Sequence, residues 1–531
     1  MRIALVASPY PLTEAPSPPL GISYVAAACI RAGAEVALFD YIVGHYTPES
    51  LRSDIDAFAP DIIGTNSVTM NFLPAIQIIR EAKRHRPDII TMMGGPHVSF
   101  DIERTLKQYP DLDLIVVGEG EQTLSELLPA ISDRESWHKI QGIAFKDGEQ
   151  IVITPPRPLI EDLDSLPLPA RHLLPMSRYR ALGFPVSIIT SRGCPNRCIF
   201  CLGRRMVGSK VRQRSAVKVA DEIEQILAYG IDRINVADDT FTANKQRVKA
   251  VCSEIINRGL HFGWSAFSRV NTVDRETLQL MRDAGCDSVS FGIESGNPEM
   301  LKRVKKGITL DQARQAVRYC KDTGIRTHAS FIIGLPGENE QTMKDTSEFA
   351  EELEIEYGYH MLAPFPGTTI MENIDQYDLE ITTDDWNLYD ANRAIVRTSA
   401  LSTEDMNAFL DSFEMKYRER WNMVLARYIE KQCTPYEIMQ VEGSRRTSFI
   451  YRLLSEGILE DLGAFSLEDI EPIDMLVSRM SRSMGEEAAF VRTTASSLLN
   501  SGFIKFEKTN GHIHWFWTHN NRMDQLTAET A

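Results

Sequence analysis

Ser191-Arg192-Gly193-Cys194-Pro195-Asn196-Arg197-Cys198-Ile199-Phe200-Cys201 decides how the rest of this chain is read. It sets three thiols at C-x3-C-x2-C spacing directly behind Val186 to Thr190, a short apolar run of strand character. Three thiolates on one loop suit a cuboidal iron–sulfur cluster, in which each protein ligand takes its own iron. The fourth iron is then open to a ligand that is not protein. A structural zinc site asks for four protein ligands, and no fourth cysteine or histidine lies near.

Outward from this loop, strand-like runs alternate with helical patterns. Val186 to Thr190, Arg233 to Ala237, Phe262 to Phe267, Ser288 to Ile293, Arg326 to Ile333 and Glu356 to Ala363 predict six strand–helix repeats. Six repeats fit a partial parallel (β/α)6 barrel over 183–385, with chemistry at the carboxyl ends of its strands. Upstream, Ile3 to Val6, Glu35 to Phe39, Ile62 to Gly64, Ile89 to Met93 and Leu114 to Val117 alternate with amphipathic segments. That pattern predicts a doubly wound, Rossmann-like α/β domain over 1–150, binding ligands beyond its strand ends. Small and polar residues stand there: Ser67-Val68-Thr69, Gly94-Gly95-Pro96-His97 and Gly118-Glu119-Gly120-Glu121. They suit either tight turns or close approach of a ligand to the backbone. A proline-rich stretch, 151–182, reads as a linker. The region 386–531 reads as mostly helical, ending in a β-hairpin with an Asn510-Gly511 turn that resembles a winged helix.

Composition narrows the classes. A formal net charge of −16 argues against a broad phosphate-binding surface, so nucleic acid is not an expected partner. No apolar run is long enough to cross a bilayer, and the strand at Arg2 to Val6 begins without a leader, so a cytoplasmic location without membrane contact is expected. Of eight cysteines, the five outside the loop (Cys29, Cys252, Cys286, Cys320 and Cys433) form no close pair and read as small core residues.

The cysteine loop at the mouth of a partial barrel resembles the radical S-adenosylmethionine superfamily. That resemblance makes Cys194, Cys198 and Cys201 the ligands of a [4Fe-4S] cluster that cleaves S-adenosylmethionine. It further implies that Asp238 and Asp239 meet the methionyl amine, Arg269 the carboxylate, Glu294 and Ser295 the ribose, and Phe200 and Ile332 the adenine. Carboxylates for an ammonium and a guanidinium for a carboxylate are the matching chemistries. Glu338 reads as a cap of the following helix. The domain ahead of the barrel resembles the cobalamin-binding domain of the cobalamin-dependent branch, which implies that Ser67, Thr69, Gly94, Gly95, Gly118 and Glu119 surround cobalamin. No Asp-x-His-x-x-Gly motif is present, so no histidine is expected below cobalt, and His97 is expected to be structural or to touch the nucleotide tail.

Three functions follow as expectations. The first is a methyltransferase in which methylcobalamin and a deoxyadenosyl radical methylate an unactivated carbon, or phosphorus, of a small molecule or natural-product intermediate, with flavodoxin or ferredoxin as reductant. The second is a radical oxidative cyclase of the same branch, similar to the anaerobic Mg-protoporphyrin monomethyl ester enzyme. The third is a cobalamin-sensing regulator binding DNA through the terminal helices and hairpin. The terminal region is also a candidate cover for the substrate, with His512 and His514 on one hairpin face and Trp515 and Trp517 on the other. Tyr357, Tyr359 and His360 are candidates to face substrate in the barrel.

Overall fold

The computed structural model describes residues 1–9, 16–466 and 470–519. Apolar runs at the amino end form a parallel sheet whose inner strands are buried on both faces. These are β1 (Arg2–Ala7), β2 (Glu35–Asp40), β3 (Ile62–Asn66), β4 (Ile90–Gly94) and β5 (Leu114–Val116), followed by β6 (Ile143–Asp147) and β7 (Gln150–Ile153). The sheet order is β2-β1-β3-β4-β5-β6-β7. The first five strands are parallel, while β6 and β7 form an antiparallel extension. The sequence reading missed this last hairpin, whose two-residue turn has Gly148 at φ 59°. The expected boundary at 150 therefore falls on the first residue of β7. The proline-rich stretch is no free tether. Arg157 grips Glu126 and Thr123, and the Ala170 N–H donates to the Ser23 carbonyl.

The second sheet holds β8 (Val186–Ile188), β11 (Arg233–Val236), β12 (Gly263–Ser268), β13 (Cys286–Glu294), β14 (Arg326–Ile333) and β15 (Glu356–Met361). Between β8 and β11, β9 (Ser191–Arg192) and β10 (Arg212–Gln213) pair antiparallel around the cysteine loop. The order β15-β14-β13-β12-β11-β8 is parallel throughout, which makes it an incomplete barrel. Five of its helices begin with a side chain that accepts a backbone N–H: Ser215, Asn244, Asp274, Thr309 and Asn339. Each cap satisfies a donor the helix itself cannot, worth about 1 kcal/mol.

Helix Thr403–Ile429 covers β15, where Phe409 and Phe413 meet Tyr359, with ring centroids 5.0 and 4.9 Å away. Tyr357 also packs on Phe413, so both tyrosines face the helix and away from any substrate; His360 points to the other face. The small strands β16 (Glu380–Ile381) and β17 (Val396–Arg397) lie between. Helices Pro435–Ser455, Pro472–Met484 and Ala488–Asn500 then combine with β18 (Ala464–Ser466), β19 (Ile504–Thr509) and β20 (His512–Trp517), in sheet order β18-β20-β19. This is a winged-helix arrangement. Its hairpin turns on Asn510 and Gly511, both at positive φ, and it exposes His512 and His514 while burying Trp515 and Trp517. It does not cover the cysteine loop. Thr518 bonds Ser177, Arg446 donates to the Ala181 carbonyl, and Tyr451 meets Phe184, all just ahead of β8. Those residues lead into the amino end of the barrel, and the chemistry lies at the carboxyl end.

Candidate active site between the two sheets

The carboxyl ends of both parallel sheets face a common cavity of about 460 Å³. Its N-terminal wall is mostly small residues and backbone: Gly21, Gly64, Thr65, Asn66, Gly94, Gly95, Gly118 and Gly120. The opposite wall is made by residues that flank the cysteine loop, Ile189, Ser191, Arg192, Leu202 and Met206, with Ala237 and Asp239. The wall is suited to a large flat ligand. A Cβ built at Gly21 or Gly118 would meet nothing within 4 Å, so the missing side chains are room on the cavity side. The Thr65 hydroxyl is buried without a partner, a donor held ready for a polar edge. These features fit a corrin bearing peripheral amides, and no histidine is among the lining residues.

Gly94, Gly95 and Gly118 reach this wall as expected, but Ser67 and Thr69 stand behind it. Gly95 sits at φ 106°, and a Cβ there would lie 2.5 Å from the Ser67 carbonyl oxygen, so glycine is required for the two turns to nest. Thr69 contacts His97, whose ring stacks on Phe72 at 4.0 Å and meets Trp386 edge-on at 4.9 Å. Burial pushes the His97 pKa down to about 3, so it is a neutral packing residue.

Glu119 lines the cavity, but its carboxylate is engaged elsewhere. It accepts from Arg192 at 2.9 Å, Arg212 at 2.8 Å and the Ile160 N–H at 2.8 Å. Arg192 also reaches Glu121 at 2.5 Å. All four side chains are nearly buried, so they clamp the N-terminal domain to the strand that launches the cysteine loop. The sequence reading did not single out Arg192 or Arg212 as clamp residues, because their carboxylate partners lie 71 to 93 positions away in the chain. Behind them Tyr24 meets a buried Arg171–Glu222–Arg214 triad.

At the barrel mouth, Asp238 differs from expectation. Its two oxygens accept from Thr190 N–H and Oγ1, both at 2.6 Å, and from Ser191 N–H at 3.0 Å and Oγ at 2.6 Å. Fully engaged, it fixes the start of the cysteine loop, and Asp239 is the carboxylate offered to the cavity. A Cβ at Gly203 would come within 2.7 Å of Asp239 Oδ1, so the loop and this carboxylate are closely apposed. Arg269 lies beside the loop, with Nη1 3.7 Å from Cys198 Sγ. Glu294, at φ 74°, pairs with buried Lys306 at 2.7 Å. Such a backbone position in a glutamate is strained and marks a constrained site. Ser295 bonds Thr346 at 3.1 Å and accepts from the Asn297 N–H, which makes it a tie within the barrel wall. Phe200 and Ile332 come together against one apolar cluster that includes Ile199 and Leu335.

Glu338 does not cap the following helix. Asn339 does so, while Glu338 accepts from the N–H groups of Gly334 and Leu335 behind it. Its other oxygen is buried without a partner, and burial pushes its pKa up to about 7.

Cys198 and Cys201 open onto a hollow of about 240 Å³. Among the described residues no three His, Cys, Asp or Glu side chains converge on one ion. A single-metal site demands such convergence. A cuboidal cluster does not, because each thiolate binds a different corner.

The family model for the Radical SAM superfamily matches residues 188–350, and the B12 binding domain matches residues 13–128. A relative in Pyrococcus horikoshii, described as an uncharacterized methyltransferase, is 36% identical over 396 residues, covering 74% of this chain and 86% of its own. The chain belongs to the radical SAM superfamily, in the branch that carries a B12-binding domain. Its cofactors are a [4Fe-4S] cluster, S-adenosylmethionine and cobalamin. The anaerobic magnesium-protoporphyrin IX monomethyl ester cyclase of Rubrivivax gelatinosus is 30% identical over 418 residues, covering 76% of this chain and 73% of that enzyme. The fold is shared with the cobalamin-dependent S-adenosylmethionine radical enzyme OxsB, at TM-score 0.68 and 19% identity over 94% of this chain and 80% of that one. Among the described residues no helix is long and apolar enough to cross a membrane.

Proposed function

We propose that this protein is a cobalamin-dependent radical methyltransferase acting on an unactivated carbon or phosphorus centre of a small molecule. The observation that carries the reading is the shared cavity, in which the glycine turns of one sheet face the residues on either side of the cysteine loop of the other, with the cysteines in the adjoining hollow. Bound there, the cluster supplies the electron that cleaves S-adenosylmethionine, and cobalamin supplies methyl-carrier chemistry. The chain's own residues orient and enclose. Cys194, Cys198 and Cys201 hold the cluster; Asp239 faces the sulfonium ligand's polar end; Phe200 and Ile332 give adenine an apolar bed. Asp238 acts as a positioning residue, because it fixes the start of the loop and does not line the cavity, while Arg192 lines it with its guanidinium spent on Glu119 and Glu121. The P. horikoshii relative supports methyl transfer over cyclisation.

The DNA-binding alternative has little support. Arg492 on helix Ala488–Asn500 pairs with Asp474, and Glu486 and Glu487 precede it. Around the cluster hollow, Arg197, Arg204 and Lys305 form a basic rim on an acidic protein. That complementarity supports docking of an acidic one-electron donor such as flavodoxin or ferredoxin. Free thiols and a thiolate-held cluster support a reducing, cytoplasmic setting. The test is anaerobic reconstitution with iron, sulfide and cobalamin, followed by reductant and S-adenosylmethionine. S-adenosylhomocysteine together with 5′-deoxyadenosine is the expected product pair; deoxyadenosine alone, with cobalamin bound, would move the assignment to the cyclase.

A further inference from the structure

The two faces of the barrel strands differ in chemistry. Alternation turns Ile188, Val236, Trp264, Val289, Phe331 and Tyr359 toward the surrounding helices, where all are buried. The residues between them face the lumen, and the sheet register aligns them in layers. Asn235 is level with Ser187 and Ser265, and Ser265 with Ser288. One layer higher, Phe267 is level with Ser290, and Ser290 with His328. Above these, Ser330 is level with Gly358 and Ile332 with His360. A closed eight-stranded barrel fills such layers with branched aliphatic side chains. Here small hydroxyls, one amide and two imidazoles take most of those places, Arg326 is level with Ser288 and Glu356 with His328, none is fully buried, and Phe267 is 46% exposed.

This lumen joins the site already described. Ala237, two residues beyond Asn235 on the same face, also lines the cavity between the sheets. Of the charged groups around it, Glu294 pairs with Lys306 near the mouth and Arg233 with Asp287, at 2.7 Å, near the floor, while the exposed Glu356 stands level with His328. Burial lowers the pKa of His328, leaving a neutral ring that can both donate and accept.

We propose that the lumen admits a polyhydroxylated, saccharide-like substrate, with Asn235, Ser290, His328 and Ser330 meeting its hydroxyls and Phe267 lying against a C–H face. The proposal rests on the methyltransferase reading and adds the substrate class. An apolar lipid in the same place would strip water from these groups without replacing their hydrogen bonds.

The test presents the fully reconstituted enzyme with three sets of probes: mono- and disaccharides with aminocyclitols, apolar triterpenes, and short unmodified peptides. Binding is read by anaerobic calorimetry, and turnover by S-adenosylhomocysteine and deoxyadenosine above the substrate-free rate. At least one polyol is expected to bind and to raise product formation tenfold or more. Ser290→Leu, which fills the middle layer, is expected to remove both responses while leaving substrate-free deoxyadenosine formation and cobalamin content unchanged; Ser330→Ala, a smaller change, should weaken polyol binding several-fold. A response confined to triterpenes or peptides, no polyol response from an enzyme that cleaves S-adenosylmethionine, or an undiminished polyol response in Ser290→Leu would each overturn the proposal. Absence of any S-adenosylmethionine cleavage would instead overturn the reading on which it rests.

Discussion

The two parallel sheets use their faces differently. In the first, Ile3 to Ala7 of β1 are all buried, because helices cover both sides, and ligands can meet the sheet only at its strand ends. In the second, Ser288-Val289-Ser290-Phe291-Gly292-Ile293 of β13 alternates half-open with buried positions, because only the outer side is covered by helices. A sheet sealed on both faces therefore offers one edge site, whereas an incomplete barrel offers an edge and a face. Setting the two carboxyl edges against each other puts both cofactor sites and the lumen around one cavity.

Substitutions can separate these contributions. The largest effect is expected at Cys198. Cys198→Ala should abolish cluster assembly and S-adenosylmethionine cleavage, read by iron content and deoxyadenosine, while cobalamin still binds to the other sheet. Equal loss of cobalamin would show that the two edges are not independent.

Arg192→Ala breaks half of the clamp between the edges and leaves Glu121 nearly buried without its ion partner, while Glu119 keeps Arg212. Breaking a buried pair in this way costs about 3–5 kcal/mol. Thermal unfolding should shift well downward, with cobalamin and cluster lost together. An unchanged melting curve would mean that the sheets are held in place by other contacts.

Gly21→Leu projects a side chain into open cavity space without straining the backbone. It is expected to weaken cobalamin binding about tenfold, about 1.4 kcal/mol, with iron content unaltered. Equilibrium dialysis measures this, and wild-type affinity would place the corrin elsewhere.

The smallest effect is confined to pH and to the barrel. Glu338 has its pKa raised from 4.5 to about 7 by burial, so the folded protein holds its proton more tightly than the unfolded chain does. The stability it contributes is complete below about pH 4.5 and is lost as pH rises through about 7. Glu338→Gln should flatten that part of the stability profile in denaturant titrations; a slope equal to wild type would show that other groups set it.

Much of this architecture is legible along the chain. Periodicity shows the strands, since continuous apolar runs and strict alternation each leave a local signature. The cysteine loop is legible because its ligands are contiguous, and Gly94, Gly95 and Gly118 because turns at strand ends need them. The β6–β7 hairpin was missed because its strands are short and β7, at the sheet edge, is barely buried. Asp238, Ser295 and Glu119 carried the right chemistry for a ligand, yet each is taken up by neighbouring protein groups. A carboxylate's free valence depends on which donors surround it, and the residue type alone does not reveal them.

The sequence by itself determined the element types, the spacing of the cysteine loop and the pairing of two cofactor domains, because these depend on local spacing and on the burial period of single strands. Tertiary structure alone decided which polar groups remain for ligands, that Arg192 and Arg212 bind the domains together, that the winged helix lies away from the barrel mouth, and which strand residues share a lumen layer. Those outcomes depend on contacts between residues tens to hundreds of positions apart, and on the competition among all nearby donors and acceptors for each buried group.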